Sequence, residues 1–384
     1  MKVLLIGNQS STVVIFRRKI ITALTEQGYS VHTLTMDDDA ENFNKIKEMG
    51  AVPSFYPFSR SGLNPLSDFL NTYQLSKKIK SIEPDAVLCF FPKPVIFGSL
   101  AARVAGVKNI YLLLEGLGFC FTTHAHKDSW RKSILRSIQV FLYKISLPRA
   151  NKVLFLNNDD YHDLILEKNI KIKSSAVIGG IGVDIVDYEY SEPPSPPSHN
   201  IHFGMVSRLL VEKGVREFVE AAKIIKSKYP SVRFSIAGSI DDNPGGINQL
   251  QVDQWMSEGH VEFLGQKSEI KSYLEEISIF VLPSYREGVP RSTQEAMSIG
   301  RAVITTDVPG CRETIIDGFN GYMIPPWDVT ALVDAMTAFI EYPERIVSMG
   351  QASRKIAVEK FDEKDASEKL IGILTENFKG QSNE

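Results

Sequence analysis

Short apolar runs alternate with longer amphipathic stretches along this chain, and the pattern occurs twice. In the first half, the runs at 3–6, 30–35, 86–91 and 110–114 have the length and aliphatic character of buried strands. Helical stretches follow three of them, at 15–27, 40–49 and 96–105. Strands that alternate with helices at this spacing pair in parallel, because each helix carries the chain back across one face of the sheet. The sequence therefore predicts a doubly wound α/β domain built from βαβ units.

A proline-rich segment separates this pattern from the second one. Four of the seven residues 192–198 are proline, which excludes a helix or a central strand and indicates an extended linker. After it, strand-like runs at 201–206, 233–237, 261–264, 277–282 and 302–305 alternate with helical stretches at 214–226, 270–276 and 292–299. We therefore expect two Rossmann-like domains, residues 1–190 and 199–362, that face a central cleft. A closing helix in residues 363–384 is expected to cross the domain junction.

Length and composition limit the class of protein. The 384 residues exceed one ordinary core, since a domain averages roughly 150 residues. The three cysteines form neither a CxxC pair nor a metal-ligand spacing with histidine, which indicates a reducing compartment such as the cytoplasm. No apolar run is long enough to span a membrane, and no pattern indicates a nucleic-acid partner. Residues 1–190 carry 23 Lys and Arg against 18 Asp and Glu, whereas the remainder carries 20 against 28, so we expect the halves to meet different partners.

The connection after the apolar run at 277–282 holds the strongest indication of function. It contains two glutamates eight residues apart, Glu287 and Glu295. Pro283 ends the strand, and Ser292, a favoured N-cap type, is expected to open the next helix. The segment thus places backbone N–H groups and a helix N-terminus at the carboxyl edge of a sheet, where α/β folds bind phosphates. Because carboxylates only accept hydrogen bonds, the pair suits a ribose diol and a sugar ring beside a nucleoside diphosphate.

Several segments, taken in order, resemble one known family. In the second half they are Ser207–Gly214 (SRLLVEKG), Phe263–Gly265 (FLG), the Glu287–Glu295 element and Pro309–Gly318 (PGCRETIIDG). This set resembles the retaining glycosyltransferases of family 4, which have the GT-B fold. In the first half, Phe58–Pro65 (FSRSGLNP) and Glu115–Gly118 (EGLG) resemble the bacterial α-1,3-N-acetylgalactosaminyltransferases that extend glycans on undecaprenyl diphosphate.

The resemblance implies roles for the matching positions on the donor side. Arg208 and Lys213 would clamp the diphosphate leaving group, so that no metal ion and no other cofactor is needed. Glu287 would bind hydroxyls of the donor sugar, and Glu295 would bind the ribose. The implied donor site consists of Gly7, Arg208, Lys213, Glu287, Gly288, Val289 and Glu295, and the implied catalytic residues are Glu287, Arg208, Lys213 and Glu115.

On the acceptor side the resemblance is shorter and leaves alternatives open. It implies contacts from Arg60, Asn64, Glu115 and His124. A turn accounts for Arg60 and Asn64 without a ligand, a glutamate at a strand end can cap a helix, and a lone loop histidine commonly has no special role. Many family members have a histidine at the end of a central N-domain strand, where this chain has Glu115. Many also have a second glycine after the one that matches Gly7.

A basic stretch at residues 130–144 allows two interpretations. Its apolar residues Ile134, Leu135, Ile138, Phe141 and Leu142 recur at helical spacing, among Arg131, Lys132, Arg136 and Lys144. The sequence favours a helix whose apolar side chains pack into the core and whose cations are solvated. A basic, aromatic-bearing helix in the positive half can also rest on an anionic bilayer, and the two interpretations are compatible.

The resemblance implies a retaining, metal-independent glycosyltransferase. It would move a hexose or N-acetylhexosamine, with N-acetylgalactosamine as the first choice, from a UDP-sugar to a polyprenyl-diphosphate-linked sugar. We expect it at the cytoplasmic face of the bacterial inner membrane, as a peripheral enzyme of capsule, O-antigen or other lipopolysaccharide biosynthesis. One alternative is a GT-B-fold UDP-sugar 2-epimerase, which would consume the donor without an acceptor. Another is a non-catalytic nucleotide-sugar-binding subunit of a glycan assembly complex.

Overall fold

The computed structural model describes residues 1–58, 65–125, 129–194, 201–241 and 245–376, which form two compact units. Unit 1 comprises Met1–Cys120, Ser129–Ile181 and Lys364–Glu384, and unit 2 comprises Phe121–Asp128 and Gly182–Glu363. Unit 2 thus begins earlier in the chain than the expected domain boundary at 190–199. The reason is that the segment before the linker packs on unit 2, where Ser191 donates its N–H to the Ile299 carbonyl at 2.9 Å.

Unit 1 contains a parallel sheet. Within the described residues its strands are β1 (Lys2–Ile6), β2 (Ser30–Thr35), β3 (Val52–Phe55), β4 (Ala86–Phe90), β5 (Asn109–Leu114), β6 (Lys152–Phe155) and β7 (Ser175–Val177). They lie in the order β3-β2-β1-β4-β5-β6-β7. The helices of the first half are α1 (Ser10–Phe16), α2 (Arg18–Glu26), α3 (Ala40–Glu48), α4 (Pro65–Ile82), α5 (Ser99–Val104), α6 (Trp130–Ser146) and α7 (Asn158–Tyr161). Short helical turns occur at Pro94–Gly98, Leu147–Arg149 and His162–Leu166.

The register of the central strands decides which residues meet at the sheet edge. All five residues of β4 are buried, as expected for a strand covered by helices on both faces. Ile6 of β1 pairs with Cys89, and Phe90 pairs with Leu113 of β5. The three strands therefore end at one carboxyl edge, which is also where the strand order reverses between β1 and β4.

Unit 2 repeats this plan with a second parallel sheet. Its strands, within the described residues, are β8 (His202–Val206), β9 (Arg233–Ala237), β10 (Glu262–Phe263), β11 (Ile279–Leu282), β12 (Ala302–Thr306) and β13 (Gly321–Ile324). They lie in the order β10-β9-β8-β11-β12-β13, so the order reverses between β8 and β11. The helices of the second half are α8 (Val215–Lys228), α9 (Gln249–Glu258), α10 (Ile270–Glu276), α11 (Arg291–Ile299), α12 (Val329–Glu341), α13 (Glu344–Lys360) and α14 (Glu363–Thr375). Short helical turns occur at Val211–Lys213 and Arg312–Thr314.

The expected α/β architecture of two Rossmann-like domains is confirmed, with two differences in detail. The single helix expected at 15–27 is two helices, α1 and α2, which are separated at Arg17 (φ −125°, ψ 3°). The sequence pattern also missed β3, β6, β7 and β13. In β3, β7 and β13 the side chains are partly exposed at several positions, so the apolar signal of a buried strand is weak. Strand β6 is buried but has only three apolar residues, Val153, Leu154 and Phe155, which is too short a run to stand out.

Helix α6 corrects the interpretation of its apolar residues as core. Ile134, Leu135, Ile138 and Phe141 are exposed, whereas Lys132, Tyr143 and Ser146 are buried. Trp130, Ile134, Ile138 and Phe141 share one side of the helical wheel and are exposed, whereas Lys132, Tyr143 and Ser146 share the opposite side and are buried. None of the described helices is long and apolar enough to cross a membrane.

Candidate functional site

The turn after β11 carries the two glutamates singled out in the sequence. It connects Leu282, at the carboxyl end of a central strand, to Arg291, the first residue of α11. Pro290 is the N-cap (φ −67°, ψ 120°), and no described side chain caps the helix. The expected N-cap at Ser292 is therefore wrong: the fixed φ of proline fits the extended N-cap position, and Ser292 lies within the first turn. The first-turn N–H groups of α11 thus have no described side-chain cap, and such groups at a helix N-terminus favour an anion.

The Glu287 carboxylate accepts two hydrogen bonds at one oxygen. Lys213 Nζ lies 2.5 Å and Ser284 Oγ lies 2.7 Å from Oε1. The Lys213 and Glu287 side chains are only 17% and 12% exposed, so water screens their attraction less than at an open surface. Oε2 accepts no hydrogen bond from any other described residue, which leaves it available to a hydroxyl group. Sequence reasoning missed Ser284, although its place one residue after Pro283 is a signal.

Two glycines let backbone segments approach this turn. Gly310 has φ +80°, and a Cβ there would lie 2.3 Å from the Glu287 carbonyl oxygen. Glu287 also donates its N–H to the Pro309 carbonyl at 3.0 Å. Gly214 has φ +74°, and a Cβ there would lie 2.2 Å from the Pro283 carbonyl oxygen. Only glycine fits both positions, which gives a physical reason for these parts of the family motifs.

Arg208 has a different carboxylate partner from Lys213. Its Nη1 lies 2.6 Å from Oδ2 of Asp241, and the arginine side chain is 47% exposed. The connection after β9 reaches Arg208 because Gly238 lies so close to Ser207 that a Cβ would be 1.7 Å from the serine carbonyl oxygen. Asp241 belongs to no motif that the sequence reveals; the pairing of β8 with β9 brings it here. Each cation therefore has a carboxylate partner that a phosphate oxygen can replace.

Glu295 lies one turn into α11 and pairs with Arg291. Arg291 Nε lies 2.9 Å from Oε1. Burial raises the pKa of Glu295, while Arg291 and a hydrogen bond from Tyr188 oppose the rise. The Tyr188 carbonyl in turn accepts hydrogen bonds from Ser298 Oγ at 2.7 Å and from Arg354 Nη1 at 2.8 Å. Sequence reasoning missed Tyr188, because it precedes the proline-rich linker and follows no strand.

An aromatic cluster flanks the same turn. The Tyr285 ring packs edge-on against the rings of His124 and Trp327, at centroid distances of 5.8 and 5.7 Å. The Tyr285 hydroxyl donates to Glu217 Oε1 at 2.7 Å. Burial, together with this carboxylate, raises the pKa of Tyr285. His124 comes from the first half of the sequence but belongs to unit 2, so the structure places this acceptor candidate beside the turn that carries Glu287.

Gly288 and Val289 lie on the turn after β11 in unit 2, whereas Gly7 and Glu115 belong to unit 1. A Cβ at Gly7 would lie 2.4 Å from the Phe90 ring, so packing inside the unit already requires glycine there. Glu115 follows β5 and pairs with Arg17. Arg60 and Asn64 lie outside the described residues.

Comparison with known proteins identifies the two halves separately. The family model for glycosyl transferases group 1 matches residues 189–356, and the model for glycosyl transferase 4-like proteins matches residues 2–157. The N,N'-diacetylbacillosaminyl-diphospho-undecaprenol alpha-1,3-N-acetylgalactosaminyltransferase of Campylobacter jejuni is 27% identical over 97% of this chain and 98% of its own. The UDP-Gal:alpha-D-GlcNAc-diphosphoundecaprenol alpha-1,3-galactosyltransferase of Escherichia coli is 26% identical over 73% of each chain.

Solved structures share the fold at lower identity. Anabaena HepE, solved in complex with UDP and glucose, superimposes with a TM-score of 0.77 at 18% identity and covers 98% of this chain and 100% of its own. The sucrose-phosphate synthase of Thermosynechococcus elongatus superimposes with a TM-score of 0.78 at 16% identity, over 99% of this chain and 100% of its own. The recognition of the GT-B fold from the sequence motifs is thereby confirmed. The chain is therefore a glycosyltransferase with the GT-B fold, whose first half matches the model for glycosyl transferase 4-like proteins and whose second half matches the model for the glycosyl transferases of group 1.

Proposed function

We propose that this enzyme is a retaining glycosyltransferase that moves a hexose or N-acetylhexosamine, with N-acetylgalactosamine as the first choice, from a UDP-sugar to a polyprenyl-diphosphate-linked sugar. The similarity of nearly the whole chain to a transferase named for an undecaprenyl-diphosphate acceptor supports the acceptor class. The second relative is named for UDP-galactose and a diphosphoundecaprenol acceptor, which supports the donor class. The product would serve the biosynthesis of a surface glycan such as a capsule or an O antigen.

The Lys213–Glu287 pair beside the N-terminus of α11 is the observation that carries the proposal. It places a cation and a carboxylate 2.5 Å apart where a helix N-terminus favours an anion. A sugar diphosphate needs these three groups together: the carboxylate binds a sugar hydroxyl, while the cation and the amides bind phosphate. In this proposal Gly288 and Val289 contribute backbone amides and Glu295 binds the ribose.

The proposed reaction needs no separate strong base. The acceptor hydroxyl attacks the anomeric carbon on the face that the diphosphate leaves, and a diphosphate oxygen takes the hydroxyl proton. Arg208 and Lys213 stabilise the charge that develops on the leaving diphosphate as the glycosidic bond breaks. Because two fixed cations supply this stabilisation, we propose that turnover requires no metal ion.

On the acceptor side, we assign contacts to Arg60, Asn64, Glu115 and His124, and we place Gly7 next to the donor. Glu115 can accept a hydrogen bond from an acceptor hydroxyl, and arginine suits the acceptor diphosphate. The neighbouring contact of His124 with Tyr285 supports a role for this histidine beside the transferred sugar.

The test is a product assay with purified protein in EDTA. The protein is incubated with separate UDP-sugars and a short polyprenyl-diphosphate-linked acetamido sugar, and the lipid is followed by mass spectrometry. We expect a mass gain of one N-acetylhexosamine, greatest with UDP-N-acetylgalactosamine. Conversion of the donor without lipid product would favour the 2-epimerase, and donor binding without any turnover would favour the non-catalytic subunit.

We also propose that unit 1 rests on the cytoplasmic face of the inner membrane through α6. Its outward stripe consists of Trp130, Ile134, Ile138 and Phe141, of which Trp130 is 69% and Phe141 is 61% exposed. Lys144 lies on the same side of the helix. An aromatic stripe flanked by cations suits an anionic bilayer, because the rings enter the headgroup region while the cations contact phosphate.

Helix α4 supports the same surface. It exposes Phe69, Leu70 and Tyr73, and Lys77 Nζ lies 4.5 Å from the centre of the Tyr73 ring. Both α4 and α6 pack against the turn Pro94–Gly98, so the two helices are anchored on the same part of unit 1.

Vesicle flotation tests the membrane contact. With vesicles that contain anionic phospholipid, Trp130→Ser/Phe141→Ser is expected to abolish flotation, and Arg131→Gln/Lys144→Gln is expected to weaken it at physiological salt. Lys132 is not a useful target, because it is buried with Nζ 5.0 Å from the centre of the Phe119 ring. Leu166→Ser, at another exposed apolar position of unit 1, is the matched control and is expected to float normally. Normal flotation of Trp130→Ser/Phe141→Ser would contradict the assignment.

A further inference from the structure

A buried ion pair joins two distant parts of unit 1. Arg17 Nη2 contacts Glu115 Oε1, and the two side chains are 1% and 6% exposed. Burying both charges costs several kcal/mol of desolvation per ion, which their attraction and hydrogen bonds must offset. An apolar pair of similar volume commonly stabilises a fold as well or better, so stability alone is a weak reason for this pair.

The arginine is fixed on more than one side. Its guanidinium carbon lies 4.3 Å from the centre of the Phe90 ring, and Nη1 donates to the Phe16 carbonyl at 2.9 Å. The Phe90 ring is itself packed against Gly7, where no Cβ fits. Gly7, Phe90 and Glu115 lie at the ends of the adjacent strands β1, β4 and β5, so Arg17 is anchored at the carboxyl edge of the sheet.

The backbone is shaped to allow this arrangement. Arg17 stands at the break between α1 and α2, where its φ of −125° and ψ of 3° interrupt the helix. On the other side, Glu115 opens a turn in which Gly116 and Gly118 have φ +111° and +72°. These conformations favour glycine, and they end β5 so that the Glu115 carboxylate stays at the edge.

We infer that Arg17 is a positioning residue for the acceptor side of the reaction, which it serves by holding the Glu115 carboxylate in one orientation. The inference rests on the proposed function, in which Glu115 accepts a hydrogen bond from the acceptor sugar. Arg17 occupies Oε1, and Oε2 accepts no hydrogen bond from another described residue. One oxygen is therefore fixed, and the other is aligned for a hydroxyl. A planar guanidinium over a ring sets this geometry in a way that a lysine ammonium does not.

Steady-state kinetics with Arg17→Met, Glu115→Gln and the double variant test the inference. We expect each single variant to lower kcat/KM for the lipid acceptor by about 10²-fold, the order expected when a reacting group is displaced by about 1 Å. The Kd for UDP, measured by calorimetry, should stay unchanged, because the proposed donor side chains lie in unit 2 and Gly7, the proposed donor residue of unit 1, has no side chain. If Arg17 acts through Glu115, the double variant should lose no more than Glu115→Gln alone.

The double variant also controls for folding, since it removes both charges and leaves no lone buried ion. Rates are therefore divided by the folded fraction of each preparation, which is measured by thermal unfolding. Losses that multiply in the double variant, or a normal kcat/KM of folded Arg17→Met, would overturn the inference while wild-type turnover upheld the proposed function. A wild-type protein that binds UDP-sugar but never modifies the lipid acceptor would overturn both.

Discussion

Replacing Lys213 by methionine separates the structural role of the Lys213–Glu287 pair from its chemical role. The substitution keeps an unbranched side chain that is one atom shorter than lysine, and it leaves Glu287 with one remaining donor, Ser284 Oγ. Removing one partner of a fully buried ion pair costs about 3–5 kcal/mol. The two side chains here are 17% and 12% exposed, and Ser284 still donates, so we expect a loss of about 1–3 kcal/mol in the free energy of unfolding. This corresponds to a decrease of about 2–12 °C in the Tm of unit 2.

The effect on turnover should be larger and should not follow stability. Lys213 is proposed to stabilise the charge of the departing diphosphate, and the loss of one such contact typically lowers kcat by about 10²–10³-fold. Lys213→Met/Glu287→Gln removes both charges, so its Tm should recover most of the decrease. Its kcat should stay as low as that of the single variant, because neither proposed donor contact is restored.

The assay combines differential scanning fluorimetry with transfer to the lipid acceptor under saturating substrates. Lys223→Met is the matched control, because Lys223 is exposed on α8 and takes part in no ion pair among the described residues. It is expected to keep the wild-type Tm and kcat. The reasoning fails if Lys213→Met turns over within about threefold of wild type, or if the double variant recovers kcat together with Tm.

Three further predictions concern unit 2. Gly310→Ala should weaken UDP binding and destabilise the unit by more than the roughly 1–2 kcal/mol that alanine costs in a left-handed conformation, because its Cβ would overlap backbone oxygens of the site turn. Gly318→Ala is the control: its φ is +72° with open space around it, so it should show only the backbone cost. If the two variants had equal effects on UDP binding in calorimetry and on stability in urea unfolding, the steric argument would be wrong. Burial lowers the pKa of His202 below 6.5, so as the pH falls the unfolded state binds a proton before the folded state does. The stability that neutral His202 contributes is therefore complete above about pH 6.5 and is lost as the pH falls below it. His202→Gln should flatten this part of the pH dependence of the urea midpoint between pH 7.5 and 5.5, and an unchanged slope would refute the prediction. Asp241→Asn should release Arg208 from its ion pair and tighten UDP binding by up to about fivefold, which corresponds to the free energy of an exposed ion pair. Weaker binding in calorimetry would instead show that Asp241 itself contacts the donor.

The sequence alone was sufficient to predict the class of fold. Apolar runs of four to six residues alternate with helical stretches, and that alternation depends on local length and periodicity, which are properties of the chain itself. The Pro283–Glu295 segment also predicted a strand, a turn and a helix N-terminus, because proline and an apolar run leave few alternatives. Its N-cap was predicted at Ser292 and lies at Pro290, since the N-cap preference of serine competes with the fixed φ of proline.

Contacts between side chains that are distant in the sequence could not be predicted. Asp241 meets Arg208 only because β9 lies beside β8, and Tyr188 reaches Glu295 only because the segment before the linker packs on α11 and α13. The outward stripe of α6 was also hidden, because periodicity identifies an apolar face but not the surface that covers it.

What the sequence determined by itself is therefore local: the alternating elements, the glycines that the site turn requires, and the residue types that suit a sugar diphosphate. The tertiary structure decided which charges meet. Lys213 and Glu287 are 74 residues apart, and Arg17 and Glu115 are 98 apart, yet each pair forms because parallel strands bring their carboxyl ends to one edge of a sheet. Strand order and register set those meetings, and they depend on the burial of the whole sheet, which no short stretch of sequence specifies.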